Sequence, residues 1–268
     1  MRNYYRLADK FTASPDNAHE HFQLHSHEYY EIYLFFEVDC RFIVEGKYYR
    51  LEPYDMLIIN KNEFHQVYHD TPTPYHRITL QISSDFFHHY GCEQYESRLM
   101  QASVTAGNKI PGNIVRSSGL YDAFMRYKKY TDNYEHKKKY PVAHSIIVEI
   151  MHIINQASLH TTSDYTNASL QPLITYLNQH FTEDITLDFL QEKFFLSKYH
   201  LCRIFRNSTG LTVHEYLRKK RLAHVRELKS QGRTISDAAI ASGFRDYSSF
   251  YRAYQKEYGV SPRVDLES

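Results

Sequence analysis

Over the first hundred residues, apolar side chains come in short runs or alternate with polar ones: 32–36, 40–44, 47–51, 56–59, 65–68 and 77–82. Ile, Val, Tyr and Phe fill these runs, and Glu45-Gly46, Pro53 and Asn60-Lys61-Asn62 separate them, a pattern that predicts strands joined by turns. Many short strands at close, even spacing predict a barrel or double-sheet roll. From about Ser117 the period changes. Leu120, Ala123, Phe124 and Tyr127 recur at i, i+3, i+4 and i+7, which is the spacing of a helix with one apolar face. After a charged break at 135–139, Pro141 opens a second apolar helix through Ile153. The polar, patternless stretch 161–168 reads as a linker. Everything beyond it reads as short helices.

Those helices repeat. A shift of 48 residues places Leu187 on Ile235, Leu190 on Ala238 and Leu196 on Phe244. A shift of 49 places Leu201 on Phe250, Arg203 on Arg252, Phe205 on Tyr254 and Gly210 on Gly259. The one-residue slip falls where a turn belongs, so each copy is a helix, a tight turn and a second helix. Ser197 and Asp246 are the expected N-caps of the two second helices. Leu201, Ile204 and Phe205 form the apolar face of one, and Phe250, Ala253 and Tyr254 that of the other. The opposing faces carry Tyr199, Cys202, Arg203 and Arg206, then Ser248, Tyr251, Arg252 and Gln255. Gly243 suits the turn, because glycine accepts positive φ without strain.

Charge sharpens the picture. The net charge is +1, but ten basic residues fall between Lys198 and Arg233, against only Glu215 and Glu227. Such a segment points to a polyanion partner. A helix that offers Arg near its N-terminus, braced by another helix, meets the requirements for reading a DNA major groove. Composition narrows the alternatives. A 42% hydrophobic, 24% charged chain is globular. No apolar run approaches the ~20 residues of a membrane span, so no membrane partner is expected. The first residues lack the apolar core of a signal peptide, which predicts a cytoplasmic protein. Cys40, Cys92 and Cys202 are too widely spaced for a disulfide framework or a Cys-x-x-Cys clip.

The run 243–256, followed by Tyr258-Gly259-Val260-Ser261-Pro262, resembles the C-terminal signature of the AraC/XylS family of bacterial transcriptional regulators. Ile235, Ala238 and Ala239 stand where that signature has its preceding helix, 196–205 with Thr209-Gly210 resembles the first helix-turn-helix, and Arg221-Leu222 resembles part of the connecting helix. Gln191 and Val264 depart from the pattern. The resemblance implies that both second helices enter successive major grooves of double-stranded DNA. Tyr199, Cys202, Arg203, Tyr247, Ser248 and Arg252 would then face bases, and Lys198, Arg206, Arg218 and Lys256 would hold phosphates. It also implies a multidomain α and β chain: an N-terminal cupin-like β-barrel for an effector (1–112), a helical segment suited to dimerisation (113–160), a linker (161–168) and an all-α DNA-binding domain with two helix-turn-helix units (169–268). Further expectations are a homodimer, and contact with RNA polymerase if the protein activates transcription.

His25, His27 and Glu31 spell His-x-His-x-x-x-Glu, and His65 follows on a later strand. In cupins a similar set, folded together inside the barrel, resembles a metal site of three imidazoles and a carboxylate, suited to Fe, Mn, Ni or Zn. The rest of that pattern is incomplete, with Pro53-Tyr54-Asp55 at the expected turn and no Gly placed before His65. No cofactor is therefore expected. His25, His27, Glu31, Tyr33 and His65 instead line an effector pocket, with Tyr and Phe nearby to stack on a sugar or another small polar molecule. Spacing along one strand motivates the grouping: positions 25, 27, 31 and 33 share parity and hence a face. The competing reading is a metal-dependent cupin enzyme with an accessory helical domain; the paired arginines favour the regulator, without catalysis.

Overall fold

The computed structural model describes residues 5–12, 24–38, 40–69, 75–97, 99, 107–132, 141–157, 165–166 and 170–267. The chain forms two compact units, Met1–Tyr165 and Thr166–Ser268. Among the described residues no helix is long and apolar enough to cross a membrane.

In the first unit, strands β1 (Tyr5–Thr12), β2 (Tyr30–Glu37), β5 (Met56–Ile59), β7 (Tyr75–Ile82) and β8 (Lys109–Ile110) form a sheet in the order β1-β7-β2-β5-β8. Strands β3 (Cys40–Val44), β4 (Lys47–Arg50) and β6 (His65–His69) form a second, in the order β6-β3-β4, and the two-residue β9 (Tyr165–Thr166) falls on the boundary between the units. Strand β2 explains its own sequence. Tyr33 and Phe35 join Phe42, Val44, Tyr49 and Val67 of the second sheet in one buried cluster. The alternate residues Tyr30, Ile32 and Leu34 pack with helices α3 (Leu120–Asp132) and α4 (Pro141–Gln156) in another. A strand buried on both faces needs a continuous apolar run, not alternation.

All six predicted strands are present. β1, β8, helix α1 (Ser84–His89) and helix α2 (Gly112–Ser117) were not foreseen, the last placing helix before Ser117. Gly112 opens α2 against the 53–54 turn: a Cβ there would lie 2.8 Å from the Pro53 carbonyl oxygen. Its N–H donates to buried Asp55 at 2.8 Å. The charged break at 135–139 lies outside the described residues. So does the proposed linker, except for Tyr165 and Thr166, which form β9.

The second unit is helical: α5 (Gln171–His180), α6 (Leu187–Phe194), α7 (Lys198–Thr209), α8 (Val213–Ser230), α9 (Ile235–Ala241), α10 (Tyr247–Tyr258) and α11 (Pro262–Leu266). Thr186, Ser197, Thr212, Thr234, Asp246 and Ser261 cap α6 to α11, each accepting a backbone N–H from three residues on. Each such cap stabilises by ~1 kcal/mol and sets where its helix starts. Helix α8 serves both repeats. Tyr216, in its first half, meets Phe205 of α7 edge-on at 5.4 Å. Leu222, Val225 and Leu228 pack with Ile235, Ala238, Phe250 and Tyr254 of the second copy.

Candidate nucleic-acid interface and ligand site

Each repeat buries one stripe of its second helix and leaves the other outside. In α7, Leu201 and Phe205 are fully buried, while Arg203 and Arg206 are exposed, Cys202 is half-buried and Tyr199 is 77% exposed. In α10, Phe250 and Tyr254 are buried, and Tyr247, Ser248 and Arg252 are exposed. The repeat thus presents Arg203 and Arg252 at matching positions, the polar face set by the apolar one. Among the expected phosphate holders, Lys256 is exposed, Lys198 pairs with Asp188, and Arg218 is half-buried on α8. Arg245, exposed just before the Asp246 cap, was not singled out beforehand; a basic residue beside a capping position is its only sequence signal.

Polar contacts fix α8 between the copies. Arg221 donates to the carbonyls of Phe181 and Glu183, both at 2.7 Å, and so holds the α5–α6 connection. Gly243, with φ of 89°, comes so close to that connection that a Cβ would stand 2.4 Å from the Thr182 carbonyl oxygen. Arg226 binds the Asp265 carboxylate and donates to the Tyr254 hydroxyl at 2.8 Å, tying α8 to α10 and α11.

In the first unit the structure brings His25, His27, Glu31, Tyr33 and His65 together, by a route different from the one expected. They do not all share a strand. Strand β2 begins only at Tyr30, and His25 is placed instead by an isolated bridge to His65. Its N–H donates to the His65 carbonyl at 3.2 Å, and the His65 N–H returns at 2.9 Å. Parity along one strand therefore accounts only for Glu31 and Tyr33, both on β2, while the 25–65 bridge brings His25 to His65. His27 Nε2 lies 2.9 Å and His65 Nε2 3.4 Å from Glu31 Oε2. Tyr29 stacks on His27 with ring centres 3.9 Å apart. His25 is exposed, whereas Glu31 is 4% and His65 1% exposed.

Glu31 is also held by Tyr33, whose hydroxyl donates to Oε2, and by Gln81, whose Nε2 donates to Oε1 at 2.7 Å. Gln81 faces Glu31 across the β2–β7 register and was missed from sequence. Burial alone would raise the Glu31 pKa. The contacts from His27, His65 and Tyr33 outweigh it and keep the carboxyl well below the usual carboxylate range. The aromatics expected to stack on a ligand pack on one another: Phe42 meets Tyr33 at 5.4 Å and Phe35 at 5.6 Å between ring centres.

Two family models match this chain, an AraC-like ligand binding domain over residues 11–107 and a helix-turn-helix domain over 190–267. Among curated proteins, the HTH-type transcriptional activator RhaS of Citrobacter koseri is 29% identical over 119 residues, and that of Escherichia fergusonii 30%. The match covers 44% of this chain and 43% of each relative's length, so the chain spans under half of the curated relatives it matches. Among solved structures, the C-terminal domain of AraT, a response regulator from Geobacillus stearothermophilus, is 27% identical. It aligns with 37% of this chain and 84% of its own, at a TM-score of 0.36. ToxT from Vibrio cholerae aligns over 99% of this chain and 98% of its own, with 11% identity and a TM-score of 0.39. By its capped helix-turn-helix repeat and its β-rich ligand-binding domain, the chain belongs to the AraC family.

Proposed function

We propose that the protein is a one-component transcriptional regulator: residues 169–268 bind duplex DNA, and a small molecule held in the β-rich unit changes that binding. The observation that carries the reading is the pair of outward arginines, Arg203 and Arg252, on helices equivalent in the repeat and braced by one shared helix. A guanidinium reads guanine with two parallel hydrogen bonds, the commonest specific contact in the major groove. Tyr199, Cys202, Tyr247 and Ser248 border these arginines and contact the neighbouring bases, Cys202 through a thymine methyl. Lys198, Arg206, Arg218 and Lys256 hold phosphates, which supply affinity without sequence information.

The effector site is His25, His27, Glu31, Tyr33 and His65, and a sugar or another small polar molecule is its occupant. The regulator acts in the cytoplasm as a homodimer joined through the segment 113–160, with 161–168 as linker, and contacts RNA polymerase where it activates. It performs no catalysis. Selecting bound fragments from random duplex DNA, with and without a panel of sugars, tests the whole reading. Enrichment of a motif with two separated elements, altered by one sugar, is the expected outcome; no enriched motif overturns it.

A further inference from the structure

We propose that His25, His27, His65 and Glu31 bind one divalent first-row transition ion. The donor atoms of the three histidines all lie within 4.8 Å of one another. His27 Nδ1 donates to the Tyr29 carbonyl at 2.9 Å, and His65 Nδ1 to the Glu63 carbonyl at 3.0 Å. A carbonyl only accepts, so in each neutral ring the proton sits on Nδ1 and the Nε2 lone pair faces the cluster. Backbone carbonyls impose the same tautomer on metal-bound imidazoles. Both Nε2 atoms are buried and make no hydrogen bond. They converge on Glu31 Oε2, so in the neutral rings two lone pairs meet a carboxylate oxygen, an arrangement that only a second proton on the rings or a bound cation relieves. Buried polar atoms left this way are costly, and a cation satisfies all three at once.

The supporting shell is also in place. Gln81 and Tyr33 orient the Glu31 carboxylate through hydrogen bonds of their own, as outer-shell groups do around metal ligands. Metal–nitrogen bonds of ~2.1 Å bring two nitrogens on one ion to within about 4 Å, so the three histidines close on one ion by a side-chain shift under about an ångström, with Glu31 adjoining His27 and His65. His25, exposed at the rim, has room to make it. Three imidazoles and one carboxylate suit iron, manganese, nickel or zinc and not magnesium or calcium, which prefer all-oxygen sites. The proposal goes beyond the regulatory reading and stands without it.

The test uses the full chain, stripped with chelator and titrated with Co²⁺ by visible absorption and with Zn²⁺ by calorimetry. One equivalent of each is expected, with binding about tenfold weaker or worse in His25→Ala and in Glu31→Gln. Thermal unfolding of metal-free His25→Ala at the wild-type temperature keeps a lost site distinct from a lost fold. Binding that survives both substitutions would assign the ion to other surface histidines among the 17 in the chain and overturn the proposal. So would a metal-free protein in which a doubly protonated His27 pairs with Glu31 and no Co²⁺ is taken up.

Discussion

Phe195 and Gly243 occupy equivalent positions in the two repeats, 48 residues apart, and both adopt left-handed backbone, with φ of 54° and 89°. The turn between the helices demands that conformation in each copy. Only the second copy meets it with the residue suited to it, and Phe195 stands 94% exposed on a strained backbone. Replacing Phe195 with Gly should therefore stabilise the protein by at most about 1 kcal/mol. Relief of ~1–2 kcal/mol of left-handed strain is partly offset by the greater chain entropy of unfolded glycine. Gly243→Ala should destabilise by at least about 2 kcal/mol, since strain is added to a backbone collision with Thr182. Denaturant unfolding of both variants checks the opposite signs.

Arg203→Ala and Arg252→Ala should each weaken binding to a selected DNA site by ~1–3 kcal/mol and relax specificity at one position. The two positions should lie about one helical turn, ~10 bp, apart. Footprinting and band shifts against single-base variants locate them; two losses within one three-base cluster would contradict two-groove reading. Lys256→Ala should instead weaken all duplexes alike and reduce the log–log salt slope by ~0.9.

His224 should give the helical unit a pH-dependent stability. Burial, with help from Arg233, lowers its pKa below the ordinary value, Glu227 opposing. Phe181 meets the ring edge-on at 5.2 Å, and Nδ1 lies 3.1 Å from the Ser242 hydroxyl. A depressed pKa means the unfolded chain binds more protons, so this contribution is intact above the unfolded value of ~6.5 and is lost as pH falls through the folded value. Thermal unfolding of the wild type should weaken over that interval, and His224→Gln should flatten the same part of the profile.

Effector coupling should pass through the histidine cluster. If a ligand shifts the protein between states of different DNA affinity, operator DNA must change ligand affinity by the same factor, typically ~1–3 kcal/mol. His27→Ala combined with Glu31→Ala should reduce that factor to about one. Calorimetry of ligand binding with and without operator measures it, and an undiminished factor would place the sensor elsewhere.

The sequence was most legible where one physical requirement dominated. The caps Ser197 and Asp246, and the buried stripes ending at Phe205 and Tyr254, follow from helix chemistry alone. Strand β1 was hidden because Asp9 and Lys10 break its apolar run. In the sheet it lies at the edge beside β7, a pairing that local spacing does not show. Helix α1 has six residues, too few for a helical period to register. For the histidine cluster, the His-x-His-x-x-x-Glu spacing picked out residues that the fold does bring together, though not along one strand as expected. The bridge from His25 to His65 and the approach of Gln81 to Glu31 are long-range pairings, invisible to local spacing.

Helix α8 carries a consequence for how sites are spaced. Its eighteen residues, at ~1.5 Å each, make a strut of about 27 Å on which α7 and α10 are both seated. On the proposed reading, once the first helix engages a groove the second is already held at a fixed offset. It engages at high effective concentration and with little further loss of rotational freedom. The same stiffness works against displaced half-sites. One inserted base pair moves the second element by ~3.4 Å along the duplex and about 36° around it. If both helices read DNA as proposed, the strut should not follow that movement, so such a site should keep the affinity of a single helix, and the distance between elements would become part of what the protein reads.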